Sequence, residues 1–330
     1  MQTLTLDART LETLVSAAVA APSIHNTQPW RFRLDPDAVA LEVRAAPERS
    51  LRFSDPAGRA LHMSVGASLC NLRVAIAHFG WWPRTRLLPR PDDPRLLATV
   101  RLEDGTPAEA PQPPDLYEAI WRRHSSRFPF SGRPVSPAVL EELAETARVE
   151  GALLDFATPE EARRLLRITT EGERRNVHDP VRRDESRLWV QTPAREDRDI
   201  GMPKAALGPQ DAWERIPMRD FTAAAHSERL PAAPFERSPL LAVLATPHDR
   251  RADWLRAGQA LQHVLLVATS FGLRASLLHQ AMEWPDLRRE VSRPDAGLHH
   301  PQILLRLGYG PEGPSSPRRD PEAVMDKLPF

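Results

Sequence analysis

Six residues near the middle of the chain, Arg122 to Arg127, carry the side chains best suited to binding an anion. They read Arg-Arg-His-Ser-Ser-Arg, so three guanidiniums and two hydroxyls fall within six positions. Guanidinium groups make forked, charge-assisted hydrogen bonds to phosphate. On this stretch alone a solvated basic helix end is the commoner explanation, because arginine near a helix C-terminus also suits the helix dipole. On a helix, Arg123 and Arg127 would share one face.

A second polar segment, residues 22–30, reads Pro-Ser-Ile-His-Asn-Thr-Gln-Pro-Trp and leads into a predicted strand. The side chains of Ser23, Asn26 and Gln28 offer hydrogen bonds to a ligand, but the same residue types also cap turns. Trp30 begins the strand, where an aromatic residue usually belongs to the core. The segment is therefore either part of a site or an ordinary loop.

Hydrophobic periodicity predicts the elements that position these two segments. Helices are expected at residues 8–21, 60–79, 117–121, 137–148, 159–175 and 253–270, and strands at 30–34, 39–43, 85–88, 97–102, 152–156, 240–245, 273–278 and 302–307. Residues 104–116 are rich in proline and are predicted to be a linker. Residues 176–238 form a predicted insertion with one short helix, and long irregular segments of this kind often act as lids.

The two longest predicted helices match each other at both ends. Gly66 and Gly258 stand near their starts, and Phe79-Gly80 and Phe271-Gly272 end them, so both pairs lie 192 residues apart (258 − 66 and 272 − 80). Apolar helices that end in glycine are common, but the first helix of each half corresponds as well. We therefore predict a duplication, with a first unit, a linker and a second unit at residues 1–103, 104–116 and 117–330.

Composition argues against several classes of protein. The formal net charge is zero, which gives no overall attraction to nucleic acid or to an anionic membrane. No signal peptide is recognised, and we expect that no apolar run approaches the ~20 residues that a membrane helix needs. Cys70 is the single cysteine, which excludes an internal disulfide and leads us to expect a cytoplasmic protein. Its place in an apolar helix predicts a core residue.

Two patterns that imitate known motifs are set aside. Residues 308–313 spell the dinucleotide-binding pattern G-x-G-x-x-G, but Pro311 interrupts it and no helix is predicted to follow. The pairs His248-Asp249 and His299-His300 lack the spacing and the companions of a metal site. We predict no metal.

The loop at 22–30 and the Arg-His-Ser-Ser-Arg motif at 123–127 together resemble the nitroreductase family of flavoproteins. In that family the basic motif binds FMN, and the loop of the partner subunit reaches over the flavin ring. Here the loop precedes the motif in one chain, which resembles the single-chain Acg-like branch. The resemblance covers most of the chain outside 176–238. It implies an α+β architecture, with a nitroreductase-like fold duplicated as a pseudo-dimer, mainly antiparallel sheets, long central helices and a lid insertion.

The resemblance also implies one complete FMN site and one degenerate site. Carried over by position, the residues that would hold the phosphate and the polar ring edge are Arg123, His124, Ser125 and Arg127. Those that would contact the ring or ribityl chain are Ser23, Asn26 and Gln28, while Ile24 departs from the small polar residue often found there. Those beside the reactive flavin nitrogen or at the closing phosphate contact are Leu278, His279, Gln280, Arg318 and Arg319. Ordinary alternatives are a partly buried histidine for His279 and a solvated tail residue for Arg319.

Two functions follow from the resemblance. The first is an oxidoreductase in which FMN takes hydride from NAD(P)H and reduces a nitroaromatic or quinone-like acceptor, with the flavin rather than a protein group carrying the chemistry. The second is an FMN-storage protein with little turnover, in which the insertion and its aromatic residues Trp189, Trp213 and Phe221 cover the ring. A monomer is expected from the internal pseudo-dimer, and a homodimer stays open. A nucleic-acid binder is disfavoured by the zero net charge.

Overall fold

The computed structural model describes residues 6–35, 38–105, 116–191, 199–221, 231–292 and 299–326. Its helices are α1 Ala8–Val19, α2 Arg59–His78, α3 Tyr117–Arg122, α4 Pro137–Val149, α5 Pro159–His178, α6 Pro180–Leu188, α7 Arg251–Ser270, α8 Pro285–Val291 and α9 Pro321–Val324. Its strands are β1 Trp30–Asp35, β2 Ala40–Ala45, β3 Trp81–Leu87, β4 Leu96–Asp104, β5 Leu153–Phe156, β6 Gln210–Asp211, β7 Ala232–Ala233, β8 Leu240–Thr246, β9 Arg274–Leu278 and β10 His300–Gly308.

Two antiparallel sheets of four strands carry the fold, with the strand orders β1-β2-β4-β3 and β5-β8-β10-β9. In the second sheet, Leu304 of β10 lies between Val243 and Leu278. Successive residues of a strand point to opposite faces, so Leu305 joins the main core while Leu304 joins a second core that includes Leu165 of α5. The predicted α+β class with mainly antiparallel sheets is confirmed.

Helices α2 and α7 form the centre of the molecule and are buried along most of their length. They approach so closely that a Cβ atom on Gly66 would overlap the carbonyl oxygen of Leu255, and one on Gly258 would overlap that of Met63. The two contacts correspond under the offset of 192 residues, which relates Gly66 to Gly258 and Met63 to Leu255 (258 − 66 and 255 − 63). The contact is therefore reciprocal, which agrees with the predicted duplication, although the duplication itself stays a prediction.

Helix α2 also corrects one expectation. Its 20 residues are long and apolar enough to cross a membrane, with a mean hydropathy of 1.3 in the most apolar window, of which 83% is buried inside the fold. The sequence expectation that no apolar run approaches this length was wrong, because the polar residues of α2, such as Ser68 and Asn71, lie within the core and bond to carbonyl oxygens of α1. As the burial shows, α2 serves here as a core helix.

Most other predicted elements agree with the structure to within a few residues, and Trp30 and Cys70 are core residues as expected. The predicted linker 104–116 lies mostly outside the described residues. Within the insertion the structure has α6 and the short parallel pair β6 and β7. Helix α5 continues three residues past the predicted end, to His178. The next residue, Asp179, is the N-cap residue of α6.

Candidate functional site

A cavity lies where α2, α7, the end of β9, the loop at 22–25 and the insertion meet. We call it the central cavity. Its walls are mainly apolar, with Ala67 from α2, Leu261 from α7 and Leu278 from β9. Its polar lining consists of Ser23, His25, Ser64, Arg127, Arg219, Ser276, His279 and Gln280. Residues from both predicted units therefore line one cavity.

The loop that closes one side of the cavity has an unusual backbone. His25, Asn26 and Gln28 all have left-handed φ values of 49°, 54° and 50°, a region that costs non-glycine residues free energy. Two hydrogen bonds hold this shape. Ser23 Oγ accepts from the backbone N–H of Gln28 at 3.0 Å, and Ser64 Oγ of α2 accepts from that of Ile24 at 3.1 Å. The loop is thus fixed to the central helix.

Asn26 and Gln28 join the loop to two distant parts of the chain rather than lining the central cavity. The Asn26 amide donates to the carbonyl oxygens of Gly201 (2.8 Å) and Pro317 (3.0 Å). The Gln28 amide donates to the carbonyl oxygen of Asp199 at 2.6 Å and accepts from the backbone N–H of Arg319 at 2.9 Å. Both side chains are buried. They hold the insertion and the C-terminal segment against the loop, and any contact with FMN stays a prediction.

The basic motif is extended, which corrects the idea that Arg123 and Arg127 share a helix face. Helix α3 ends at Arg122, and Arg123 has extended φ and ψ values of −74° and 111°. Beyond it, the backbone N–H of Ser126 donates to the carbonyl oxygen of Ala275 on β9 at 2.8 Å. Ser125 forms a bridge to the same residue. Pairing with β9 therefore replaces the helical turn.

Two arginines of the motif, the buried Arg123 and the half-buried Arg127, line different pockets. Arg127 lines the central cavity, where it donates to the carbonyl oxygen of Ala206 at 2.9 Å. Arg123 lines a neighbouring pocket, which we call the arginine pocket, together with His124, Arg318 and Arg319. Arg122, by contrast, is exposed.

The arginine pocket has the properties of an anion site. Burial and the neighbouring Arg318 lower the pKa of Arg123 to about 9, and burial lowers that of Arg318 to about 10. The Nε atoms of both are buried without a hydrogen-bond partner among the described residues, and neither side chain forms an ion pair with a described carboxylate. Burial also lowers the pKa of His124 and brings that of Arg319 to about 10. Buried cations without counter-charge are costly, and a phosphate would satisfy them.

At the end of β9, Leu278, His279 and Gln280 line the central cavity as a group. Gln280 donates to the carbonyl oxygen of Pro217 at 2.9 Å, so it holds the insertion. His279 Nε2 lies 3.0 Å from Nη2 of Arg59, which always donates, so Nε2 accepts and Nδ1 donates to Glu283 at 3.2 Å. Burial lowers the pKa of His279, in keeping with this neutral form.

Glu283 holds the insertion in place through an ion pair. Burial raises its pKa, but the attraction of Arg219 and the hydrogen bond from His279 outweigh burial and hold the pKa at about 2. Arg219 belongs to the insertion and forms an ion pair with Glu283, while Asn176 donates to the second oxygen at 3.0 Å. A charge-assisted hydrogen bond between buried groups is among the stronger interactions that can hold a segment in place.

The insertion covers the central cavity through Met218, Arg219 and Phe221. Of the three aromatics considered for this role, Phe221 lies edge-on to His25, with ring centroids 5.1 Å apart, whereas Trp213 is 55% exposed and Trp189 does not line the cavity. The insertion also reaches the first half of the chain, where the Glu185 carboxylate accepts from the backbone N–H groups of Phe53 and Ser54.

Sequence reasoning missed His25, Met218 and Arg219. His25 stands inside the polar loop, so a signal was present, but the sequence could not show that its ring nitrogens have no hydrogen-bond partner among the residues that the structure describes. Met218 and Arg219 follow an irregular segment whose position over the cavity no periodicity predicts.

Comparison with known proteins gives matches over most of the chain. The sequence profile described as "Nitroreductase family" matches residues 120–309. Two proteins of Mycobacterium tuberculosis, named "Putative NAD(P)H nitroreductase Rv3131" and "Putative NAD(P)H nitroreductase acg", are 33% and 30% identical to this chain. The matches cover 97% and 96% of this chain and 92% and 94% of the relatives.

Solved structures are more distant. A nitroreductase with bound FMN from Bacteroides fragilis is 14% identical, with a TM-score of 0.37 over 63% of this chain and 94% of that one. A structure from Anabaena variabilis, also described as a nitroreductase, is 12% identical, with a TM-score of 0.48 over 93% of this chain and 90% of that one.

Proposed function

We propose that this chain, which belongs to the nitroreductase family and to its Acg-like branch, binds FMN and carries electrons from NAD(P)H to a nitroaromatic or quinone-like acceptor. Arg123, His124, Arg318 and Arg319 would hold the phosphate in the arginine pocket. The central cavity would hold the ring. Relatives of similar length bear the name NAD(P)H nitroreductase, and a member of the family from Bacteroides fragilis has bound FMN.

The observation that carries this proposal is the pair of guanidiniums of Arg123 and Arg318, whose Nε atoms are buried and which have no carboxylate partner among the described residues. Both donate to the same carbonyl oxygen, that of Ala20, and so are held close together. Two adjacent cations repel each other, and the repulsion and desolvation are relieved by a dianionic phosphate. Ala20 borders the arginine pocket and Pro22 borders the central cavity, so one short segment separates the two.

Bound FMN would supply the redox chemistry, because it accepts and donates hydride. The chain's own residues supply position and electrostatics. Arg127 places a positive charge in the wall of the central cavity, where it favours negative charge that develops during reduction. Ala67, Leu278 and Ile303 give the cavity apolar walls that exclude water.

A second candidate is storage of FMN with little turnover. The ion pair between Arg219 and Glu283, the bond from Gln280 to Pro217 and the contact of Phe221 with His25 support it, because they hold the insertion over the cavity. An acceptor or a nicotinamide would have to displace these contacts. The two candidates therefore differ in how easily the insertion opens.

The first test compares Arg123→Ala with Arg122→Ala, which removes an exposed arginine one position earlier in the same motif. Loss of a charge-assisted bond costs about 1.5–3 kcal/mol, so Arg123→Ala should weaken FMN binding roughly 10–100-fold. The readout is the FMN content of the purified protein and its Kd from fluorescence quenching. Equal affinity in the two variants would refute the phosphate assignment.

The second test separates the two candidate functions. The wild-type protein is loaded with FMN, made anaerobic and mixed with NADPH or NADH while the visible absorbance band of the oxidised flavin is followed. Prompt bleaching, with reoxidation by a quinone, supports the reductase. A persistent band in the wild type that bleaches in Phe221→Ala supports storage under a closed insertion.

A further inference from the structure

We propose that His25 anchors the electron acceptor, by donating an imidazole N–H hydrogen bond to an oxygen atom of a planar, oxygen-bearing molecule in the central cavity. This inference rests on the proposed function, which supplies the reaction. It adds which residue selects the electron acceptor and which chemical group of the acceptor is recognised.

The first observation is that His25 is buried but has no polar partner. Its side chain lines the central cavity, the residue is 6% exposed, and neither Nδ1 nor Nε2 has a hydrogen-bond partner among the described residues. Buried polar atoms in proteins are nearly always paired, so an unpaired donor and acceptor in a cavity wall indicate a ligand. The edge-on contact with Phe221 satisfies neither nitrogen.

The second observation is that the backbone holds the ring where it is. His25 has a φ of 49°, and such strained residues cluster at functional sites. The neighbouring Ile24 is fixed to Ser64 of α2, and Asn26 is fixed to Gly201 and Pro317. The imidazole is therefore presented to the cavity by a backbone that is anchored on both sides.

The charges around His25 determine what it can bind. Arg127 faces it from the basic motif, Arg219 from the insertion, and His279 and Glu283 from the segment after β9. Burial, followed by Arg219, lowers its pKa well below the ordinary value, so the ring is neutral and offers one N–H donor and one acceptor.

Glu283 does not attract a cationic ligand into this environment, because its carboxylate is already engaged. It accepts from Arg219, Asn176 and His279. The imidazole N–H of His25 therefore faces a positive surrounding, which favours a partly negative oxygen such as that of a nitro group or a quinone carbonyl. A cationic acceptor of the same size should bind poorly.

The experiment measures binding in the oxidised, FMN-loaded protein without nicotinamide, so no turnover occurs. Nitrobenzene and toluene are the probes, since they share the ring and differ in the oxygens. H25F removes both nitrogens and keeps a ring, while H25N keeps an N–H donor and tolerates the left-handed backbone. We expect H25F to weaken nitrobenzene binding about tenfold and toluene binding less than twofold, and H25N to stay within about threefold of the wild type for both.

A second readout does not depend on the variants. In protein labelled with ¹⁵N-histidine, nitrobenzene should shift the N–H signal of His25, which is assigned by its loss in H25N, and toluene should shift it much less. This measurement on the wild type decides the matter if H25F does not fold. Equal nitrobenzene affinity in H25F and wild type, or equal shifts with both probes, would overturn the inference.

Failure of the proposed function gives a different result. If the wild type does not bind added FMN, the proposed function fails, while the same titrations on the flavin-free protein still test His25. If FMN binds normally and His25 makes no difference to nitrobenzene, only the role of His25 fails.

Discussion

Closure of the insertion should depend on pH through Glu173 of α5. Its Oε1 accepts from the backbone N–H of Asp220 in the insertion at 2.8 Å, and its Oε2 is buried without a partner among the described residues. Burial raises the pKa of Glu173 from 4.5 to about 7, even though Arg219 and the Asp220 N–H act to lower it. In this position the neutral, protonated carboxyl group is favoured over the carboxylate.

The size of the effect follows from that pKa. At ~1.36 kcal/mol per pH unit, the difference between 4.5 and about 7 is worth roughly 3 kcal/mol. Because the pKa is higher in the closed state than in water, the contribution to closure is fully present below pH 4.5. It is lost as the pH rises through 7. The insertion should therefore open more often in alkaline solution.

The assay is hydrogen exchange of the Asp220 and Phe221 amides at pH 5 and pH 8, corrected for intrinsic exchange rates. Relative to Glu173→Gln, the wild type should lose about 100-fold protection across this range, which corresponds to the two pH units between 5 and about 7. His25 and His279, whose pKa values are lowered by burial, oppose closure in acid in both proteins, so the difference between the proteins isolates Glu173. Parallel pH profiles of the two proteins would refute the reasoning.

Two further predictions concern the centre of the molecule. Gly258→Ala should destabilise the protein by about 3 kcal/mol or prevent folding, because the new Cβ would overlap the Met63 carbonyl oxygen, whereas Gly132→Ala adds a Cβ in open space. Urea unfolding compares them, and equal midpoints would contradict the contact. Cys70 should react with thiol reagents only on unfolding, because burial raises the pKa of its thiol. Rapid labelling of the native protein at pH 7 would speak against this.

The elements of the fold were largely predictable because they depend on local patterns. The 3.6-residue and two-residue periodicities placed the helices and strands, and the glycines after α2 and α7 marked their ends, where Gly80 and Gly272 have left-handed φ values of 88° and 73°. The bounds of α2 were predicted to within one residue, but its apolar character over a membrane-spanning length was not recognised, because its buried polar residues interrupt the apolar sequence without interrupting its burial.

The site was predictable in composition but not in arrangement. With the family resemblance, the motif predicted an anion site, which stays a prediction, but its sequence could not indicate that Ser126 pairs with Ala275 and so turns Arg123 and Arg127 to different pockets. Nor could it indicate that the amides of Asn26 and Gln28 are used to hold distant segments. Such pairings are decided by tertiary structure rather than by neighbours in sequence, which is why no local rule finds them.

The bonds of Asn26 and Gln28 also have a consequence for biosynthesis. Their partners at Pro317 and Arg319 lie 291 residues further along the chain. At about 5–20 residues per second, ribosomes make that stretch in roughly 15–60 s. Until then the loop lacks its hydrogen bonds to the C-terminal segment. Arg318, which lines the arginine pocket together with Arg123, has also not been made. If this pocket holds the phosphate of FMN, as proposed, a ligand that needs both arginines is loaded only after Arg318 has been made and does not guide the folding of the first half.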